Sequence, residues 1–269
     1  MAIIVMVSAK GSPGVTTTAL ACTLSWNGRT VLAECDPAGG SVLSGYLSGL
    51  EIPPIGLLPL AAAALRDQLA DTFAHQLVDL DANRPGHRLV LPGINDPIQS
   101  GTIRPTWESL AAFFADLERR EPGYDVIADC GRLSTGAPPW PLLFRADLLL
   151  LVVRVETLRT IAPAVGAAEM LRRELTQHGQ GPGALALALI GEGPYRRRDI
   201  EQRLLLPTLI ELPDDPRTAE VLSDGGGRLR GNQRLLRAAA SAEPAVRDAI
   251  ARRRAHLAPT SSRGSSHAR

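Results

Sequence analysis

Short, nearly unbroken apolar runs punctuate the chain, separated by longer amphipathic stretches. Residues 3–7, 30–35, 88–91, 124–131, 146–153, 184–190 and 208–212 form such runs. They are of strand length, rich in Val, Ile and Leu, and lack polar alternation, so they read as strands of a parallel sheet buried on both faces. Between them the apolar period lengthens to that of a helix. Trp107, Leu110, Phe113, Phe114 and Leu117 share one face of a helix expected over 106–120. Ile161, Val165, Ala168, Leu171 and Leu175 do the same over 158–178. Further helices are expected over 19–26 and 197–206, with shorter helical pieces at 60–65 and 73–78. Residues 232–257 read as one or two terminal helices broken at Pro244. Strand and helix alternate with crossovers of at least about a dozen residues, which predicts an α/β fold: a doubly wound, mostly parallel sheet with helices on both faces. One domain is expected over 1–257, followed by a disordered polar tail at 258–269.

Composition narrows this only slightly. At 269 residues, 45% hydrophobic and 21% charged, the chain can bury one sizeable core. A net charge of +1 gives no whole-molecule field of the kind that draws nucleic acid. Cys22, Cys35 and Cys130 have no metal-ligand spacing and are expected as buried free thiols of a reducing compartment. No basic leader precedes the first apolar run, and no run approaches the ~20 residues of a membrane span. A cytoplasmic location is expected, with no membrane partner.

Chemistry concentrates at the first turn. The run at 3–7 leads into Ser8-Ala9-Lys10-Gly11-Ser12-Pro13-Gly14-Val15-Thr16-Thr17-Thr18, and a helix follows. A glycine-rich turn between strand and helix lets backbone N–H groups converge on an anion, and the helix dipole adds to the attraction. The usual phosphate loop closes Gly-Lys-[Ser/Thr]. Here Gly14 and Thr16 hold their places, but Val15 stands at the lysine position. Lys10, four residues before Gly14, is the chain's only lysine among 29 Lys and Arg residues. An ammonium is a compact point charge, unlike the broad guanidinium fork used elsewhere in this sequence. Two further carboxylates end apolar runs: Asp36, after 30–35 and before Pro37, and Asp129, beside Gly131. At the carboxyl ends of parallel strands both face the ligand side of the sheet.

This constellation resembles the deviant Walker A ATPases of the ParA/MinD family, whose loop reads Lys-Gly-Gly-x-Gly-Lys-[Thr/Ser]. Lys10, Gly11, Gly14 and Thr16 match, and Ser12 replaces a glycine. An apolar residue at the second lysine, here Val15, is similar to the CpaE/TadZ-like branch. The resemblance implies a nucleotide site made by Lys10, Gly11, Ser12, Pro13, Gly14, Val15, Thr16 and Thr17, with Pro213 and Asp214 at the base. It implies Mg²⁺ held by Thr16, Asp36 and Asp129, and catalytic roles for Lys10 and for Asp36, which positions the attacking water. Glu34 and Asp36 fall on the two acidic positions of the family's Asp-x-Asp-Pro segment, and Gly191 stands where MinD-like proteins often carry an adenine-reading asparagine.

The expected function is therefore an ATP-binding protein that forms a homodimer and organises cellular cargo through a protein partner or adaptor. In ParA-like dimers the lysine matching Lys10 reaches the partner's phosphates. Hydrolysis is expected to be weak or absent, because one lysine–phosphate contact at ~4 Å and an effective dielectric near 20 is worth on the order of 4 kcal/mol, and Val15 cannot supply it. Two alternatives are carried forward. One is an active partition ATPase binding DNA nonspecifically through Arg196, Arg197, Arg198, Arg228, Arg230, Arg234 and Arg237. The other is a nucleotide-free pseudo-ATPase scaffold.

Overall fold

The computed structural model describes residues 2–11, 13–117, 119–120, 123–135, 137–227, 229 and 233–257. Ser12, Arg228, Arg230, Asn232 and the expected tail at 258–269 lie outside the described residues.

Eight strands form one sheet: β1 (Ile3–Ser8), β2 (Thr30–Glu34), β3 (Val78–Asp79), β4 (Arg88–Leu91), β5 (Asp125–Arg132), β6 (Leu148–Arg154), β7 (Leu185–Ile190) and β8 (Thr208–Leu212). The helices are α1 (Val15–Ser25), α2 (Leu57–Ala64), α3 (Leu69–Phe73), α4 (Ser100–Ile103), α5 (Trp107–Asp116), α6 (Trp140–Arg145), α7 (Leu158–Gln177), α8 (Arg197–Leu204), α9 (Pro216–Asp224) and α10 (Arg234–Leu257). The strand order is β3-β4-β2-β5-β1-β6-β7-β8, and all neighbours are parallel except the β3–β4 edge pair.

The central strand explains the layering. Ile3, Val5 and Val7 point to one face of β1 and join a core with α2, α5, α6 and α7. Ile4 and Met6 point to the other face and join α1, α9 and α10. A strand covered on both sides has no solvated face to mark with polar residues, which is why its sequence does not alternate. The doubly wound architecture read from the sequence is the one observed. Cys22, Cys35 and Cys130 are free and buried.

Two local expectations are corrected. Residues 73–78 do not form one helix. After α3 a 3₁₀ turn covers Ala74–Gln76, and Val78 pairs antiparallel with Val90 at the sheet edge. A β-branched residue beside an open edge is held by the ladder rather than by local periodicity. The terminal helix is not broken at Pro244: α10 runs through it from Arg234 to Leu257. The carbonyl four residues before a proline loses its helical donor. One residue earlier, the carbonyl of Ala239 accepts the indole N–H of the buried Trp26 at 3.0 Å. Packing on α1 and β8, and an Arg247 guanidinium shared between Glu243 (2.7 Å) and Asp125 (2.9 Å), hold the helix on both sides of the proline. Beyond these, α6 and α9 are helices that the sequence reading did not assign.

Because Pro244 is exposed and its helix is continuous, Pro244→Ala is expected to stabilise the fold. The gain is at most about 2–2.6 kcal/mol: up to ~3 kcal/mol of helix-interior cost relieved, less the ~0.4–1 kcal/mol that proline contributes by stiffening the unfolded chain. Urea melts of the two proteins check this, and a lower midpoint for the variant contradicts it.

Candidate functional site

The carboxyl ends of β1, β2 and β5 meet at one rim of the sheet, and the turn after β1 rises from it into α1. Gly14 is the N-cap of α1 at φ 100°, ψ 37°, a left-handed conformation that costs glycine little and a side chain much. No side chain caps this helix, and its first turn holds no acidic residue. The first helical bond runs from Thr18 N–H to Gly14 C=O at 2.9 Å. The N–H groups of Val15, Thr16 and Thr17 precede that bond, the usual orphan donors of a helix start. They face outward at the end of the dipole that attracts anions.

Asp129 sits beneath this turn, 2% exposed. Its Oδ2 accepts the Thr16 hydroxyl at 2.5 Å and its Oδ1 accepts Gly131 N–H at 2.9 Å. Burial pushes its carboxyl up to about 7; those two hydrogen bonds pull it down, and the charges of Glu34 and Asp36 push it further up. The local chain is bent to allow this. Between Met6–Asp129 and Ser8–Arg132 the β1–β5 register slips by one residue, and Gly131 takes up the excess at φ 63°. A Cβ at Gly131 would lie 1.9 Å from Asp36 Oδ2.

Asp36 is therefore pressed against the Asp129–Gly131 turn. Its Oδ1 accepts Ala38 N–H at 2.7 Å, and burial raises its carboxyl above the ordinary range while Ala38 and Arg132 oppose. Glu34, the other acidic position of that segment, does different work. It is buried and accepts N–H groups from Ser41 (2.6 Å), Val42 (3.0 Å) and Gly93 (3.1 Å). It ties the loops after β2 and β4 together, and burial raises its proton affinity despite those bonds.

The loop residues divide sharply. Lys10 and Gly11 are exposed, and Lys10 pairs with no carboxylate among the described residues. Pro13 is half-buried and has no N–H to offer. Val15 is 6% exposed and belongs to the apolar cluster beneath α1, so it adds core contact and no charge.

On the other side of the loop the rim continues through β6, β7 and β8. Ile190 Cδ1 would lie 3.4 Å from a Cβ on Gly14, and Gly191 N–H donates to Leu212 C=O at 2.9 Å. Pro213 and Asp214 follow directly, half-buried and exposed respectively. The sequence reading missed Arg154, which ends β6 beside them. It pairs with Glu156, its Nη1 lies 3.9 Å from Asp214 Oδ1, and its buried Nε has no acceptor among the described residues. A charged residue closing an otherwise wholly apolar strand was the available signal.

Two of the arginines suggested for DNA lie near carboxylates, whereas Arg196, Arg198 and Arg237 are exposed. Arg197 is held by Glu201 (2.8 Å) and Glu211 (2.7 Å), and Arg234 lies 3.8 Å from Glu192. Among the described residues no helix is long and apolar enough to cross a membrane, and no group of three His, Cys, Asp or Glu side chains is set to hold a metal. A Mg²⁺–phosphate site needs no such group: one or two carboxylates, a hydroxyl and the phosphates themselves suffice. An uncapped helix start beside a buried carboxylate and a hydroxyl meets that requirement, so these residues fit a Mg²⁺–polyphosphate.

No protein-family model matches the chain, and no curated protein matches its sequence. Solved structures match it in shape. A ParA family ATPase from Chlorobium tepidum TLS superposes with a TM-score of 0.64 at 16% identity, over 91% of this chain and 98% of that one. The septum site-determining protein MinD of Pyrococcus horikoshii OT3, complexed with Mg-ADP, gives 0.65 at 16% identity over 94% and 98%. The MinC:MinD cell division protein complex of Aquifex aeolicus gives 0.64 at 15% over 92% and 96%. At these identities the likeness is one of architecture, and its conclusion is that the chain has the P-loop fold of the ParA/MinD ATPases.

Proposed function

We propose that this chain is a nucleotide-dependent spatial organiser, nearest in type to the CpaE/TadZ-like branch, that binds ATP with Mg²⁺, dimerises and turns over slowly or not at all. The observation that carries the reading is the join between Gly14 and Asp129: an uncapped helix start and a buried carboxylate linked through the Thr16 hydroxyl. The MinD relative with Mg-ADP supports the choice of ligand, and the MinC:MinD complex supports a protein partner.

In this reading the backbone from Lys10 to Thr17 holds the phosphates. Thr16 and Asp129, with Asp36 behind them, hold Mg²⁺, whose charge offsets that of the phosphates. Asp36 orients water, and Pro213 and Asp214 border the base. Val15 leaves the bridging charge unanswered within one chain. In this reading Lys10, exposed and without a carboxylate partner among the described residues, answers it in a second chain. A nucleotide-free scaffold is the second reading, favoured because Pro13 withdraws a donor from the loop and Val15 has joined the core.

Titration with ATP and Mg²⁺, followed by light scattering, separates these. Wild-type mass is expected to double on saturation, whereas Lys10→Ala binds nucleotide yet stays monomeric. Failure to capture nucleotide at millimolar concentration rejects the first reading. Phosphate release at the rate of ordinary partition ATPases rejects the slow turnover.

Asp129 gives a second test. Its folded proton affinity is raised from the ordinary carboxylate range to about 7, so the folded state holds the proton more tightly than the unfolded one. Its contribution is favourable below about pH 4 and is lost as pH rises through about 7. Without ligand, Asp129→Asn is expected to melt above wild type at about pH 8, at ~2–4 °C per kcal/mol relieved, with a margin that shrinks towards about pH 5. The same variant loses the Mg²⁺-dependent part of nucleotide binding. A variant less stable than wild type at both pH values contradicts this account.

A further inference from the structure

At the ends of β6, β7 and β8 away from the phosphate loop lies a cavity of about 680 Å³, within the ~300–1,000 Å³ typical of small-ligand sites. Its interior is apolar. Leu148, Leu185 and Leu209 line it at the starts of those strands, and Leu206 and Ala249 flank it from the loop after α8 and from α10.

The charged groups around it have one sign. Arg172 of α7 and Arg252, Arg253 and His256 of α10 line the cavity, and no carboxylate does so among the described residues. The nearby Asp147 is committed to Arg254, at 2.8 and 2.9 Å. Two of the guanidiniums are held in position by backbone. Arg172 Nη2 donates to Leu204 C=O at 2.7 Å, and Arg253 Nη1 donates to the carbonyls of Ala146 (3.1 Å) and Asp147 (2.9 Å). Arg253 Nη2 also donates to Gln180 Oε1, and each guanidinium keeps at least one further N–H group. Arg252 is exposed and pairs with no carboxylate among the described residues.

The rim carries large apolar side chains in water. Leu205 is 72% exposed and Leu257 55%. Leu205 also sits at φ 53°, a left-handed conformation that bulky residues seldom adopt. Apolar interior, apolar rim and fixed cations together match a ligand that is itself apolar along its body and anionic at one end. The side chains of residues 258–269 bring no carboxylate to this site, only the basic Arg263, His267 and Arg269.

We propose that this cavity binds a single-chain amphiphilic anion, an acyl chain bearing a carboxylate or phosphate head, with the chain against Leu148, Leu185 and Leu209 and the head among Arg172, Arg252 and Arg253. The site stands at the opposite end of the strands from the nucleotide reading and does not depend on it.

The test is calorimetric titration of the full chain with dodecanoate below its micellar concentration, beside dodecyl maltoside as a neutral-headed control and anionic phospholipid vesicles in a sedimentation assay. The expected result is one dodecanoate per chain, bound at least about tenfold more tightly than the maltoside. Ala249→Trp, which fills the cavity from a half-buried position, is expected to weaken dodecanoate by about tenfold or more, with the melting temperature of the free protein retained. Arg252→Glu, on an exposed position that cannot disturb the core, weakens dodecanoate but not the maltoside. Absence of saturable dodecanoate binding, equal affinity for the maltoside, or dodecanoate affinity unmoved by Arg252→Glu overturns the proposal. So does vesicle binding without dodecanoate binding.

Discussion

Burying a carboxylate without a cation is the constraint around which the functional rim is arranged. Among the described residues, Asp129 under the start of α1 has the Thr16 hydroxyl and the Gly131 N–H to satisfy it, and the charges of Glu34 and Asp36 repel it. Hydrophobic packing on both faces of β1 and β5 forces that position to be dry. A chain selected for stability alone places an apolar residue there. In the proposed function, that carboxylate is where a cation arriving from solution is held.

The helix start above it has the complementary fault. Gly14 leaves α1 without a side-chain cap, and the first turn holds no acid to answer the dipole. An anion at the turn and a cation at Asp129 satisfy both faults at once, and Thr16 is the residue common to the two. Val15 shows how the same turn serves packing. Its side chain has left the chemistry to join the core under α1, which keeps the geometry of the loop while removing the charge that such loops place over breaking phosphate bonds.

Much of this was legible in the sequence because parallel strands buried on both faces write themselves as apolar runs. The β1 and β6 runs, the first turn, and the strand-end carboxylates Asp36 and Asp129 were all read from such runs, and the structure brings them to one rim. What escaped detection depended on tertiary context. Val78 became an edge strand through its pairing with Val90. The prolines at 138, 139 and 141 hid α6, and Asp215-Pro216 hid α9, although a capping aspartate before a proline is a recognised helix opening. Pro244 misled in the other direction, since tertiary contacts hold α10 through it. Glu34 was legible as an acid at a strand end but not as a loop anchor, because its three partners lie 7, 8 and 59 residues away.

The central claim is that the backbone amides opening α1 form a seat for a polyphosphate above Asp129. Amide hydrogen exchange resolved at Gly14, Val15, Thr16 and Thr17, with and without ATP and Mg²⁺, measures that seat directly. The account predicts that exchange at these amides slows when both ligands are present and changes little with Mg²⁺ alone. Unchanged exchange there at millimolar nucleotide contradicts it.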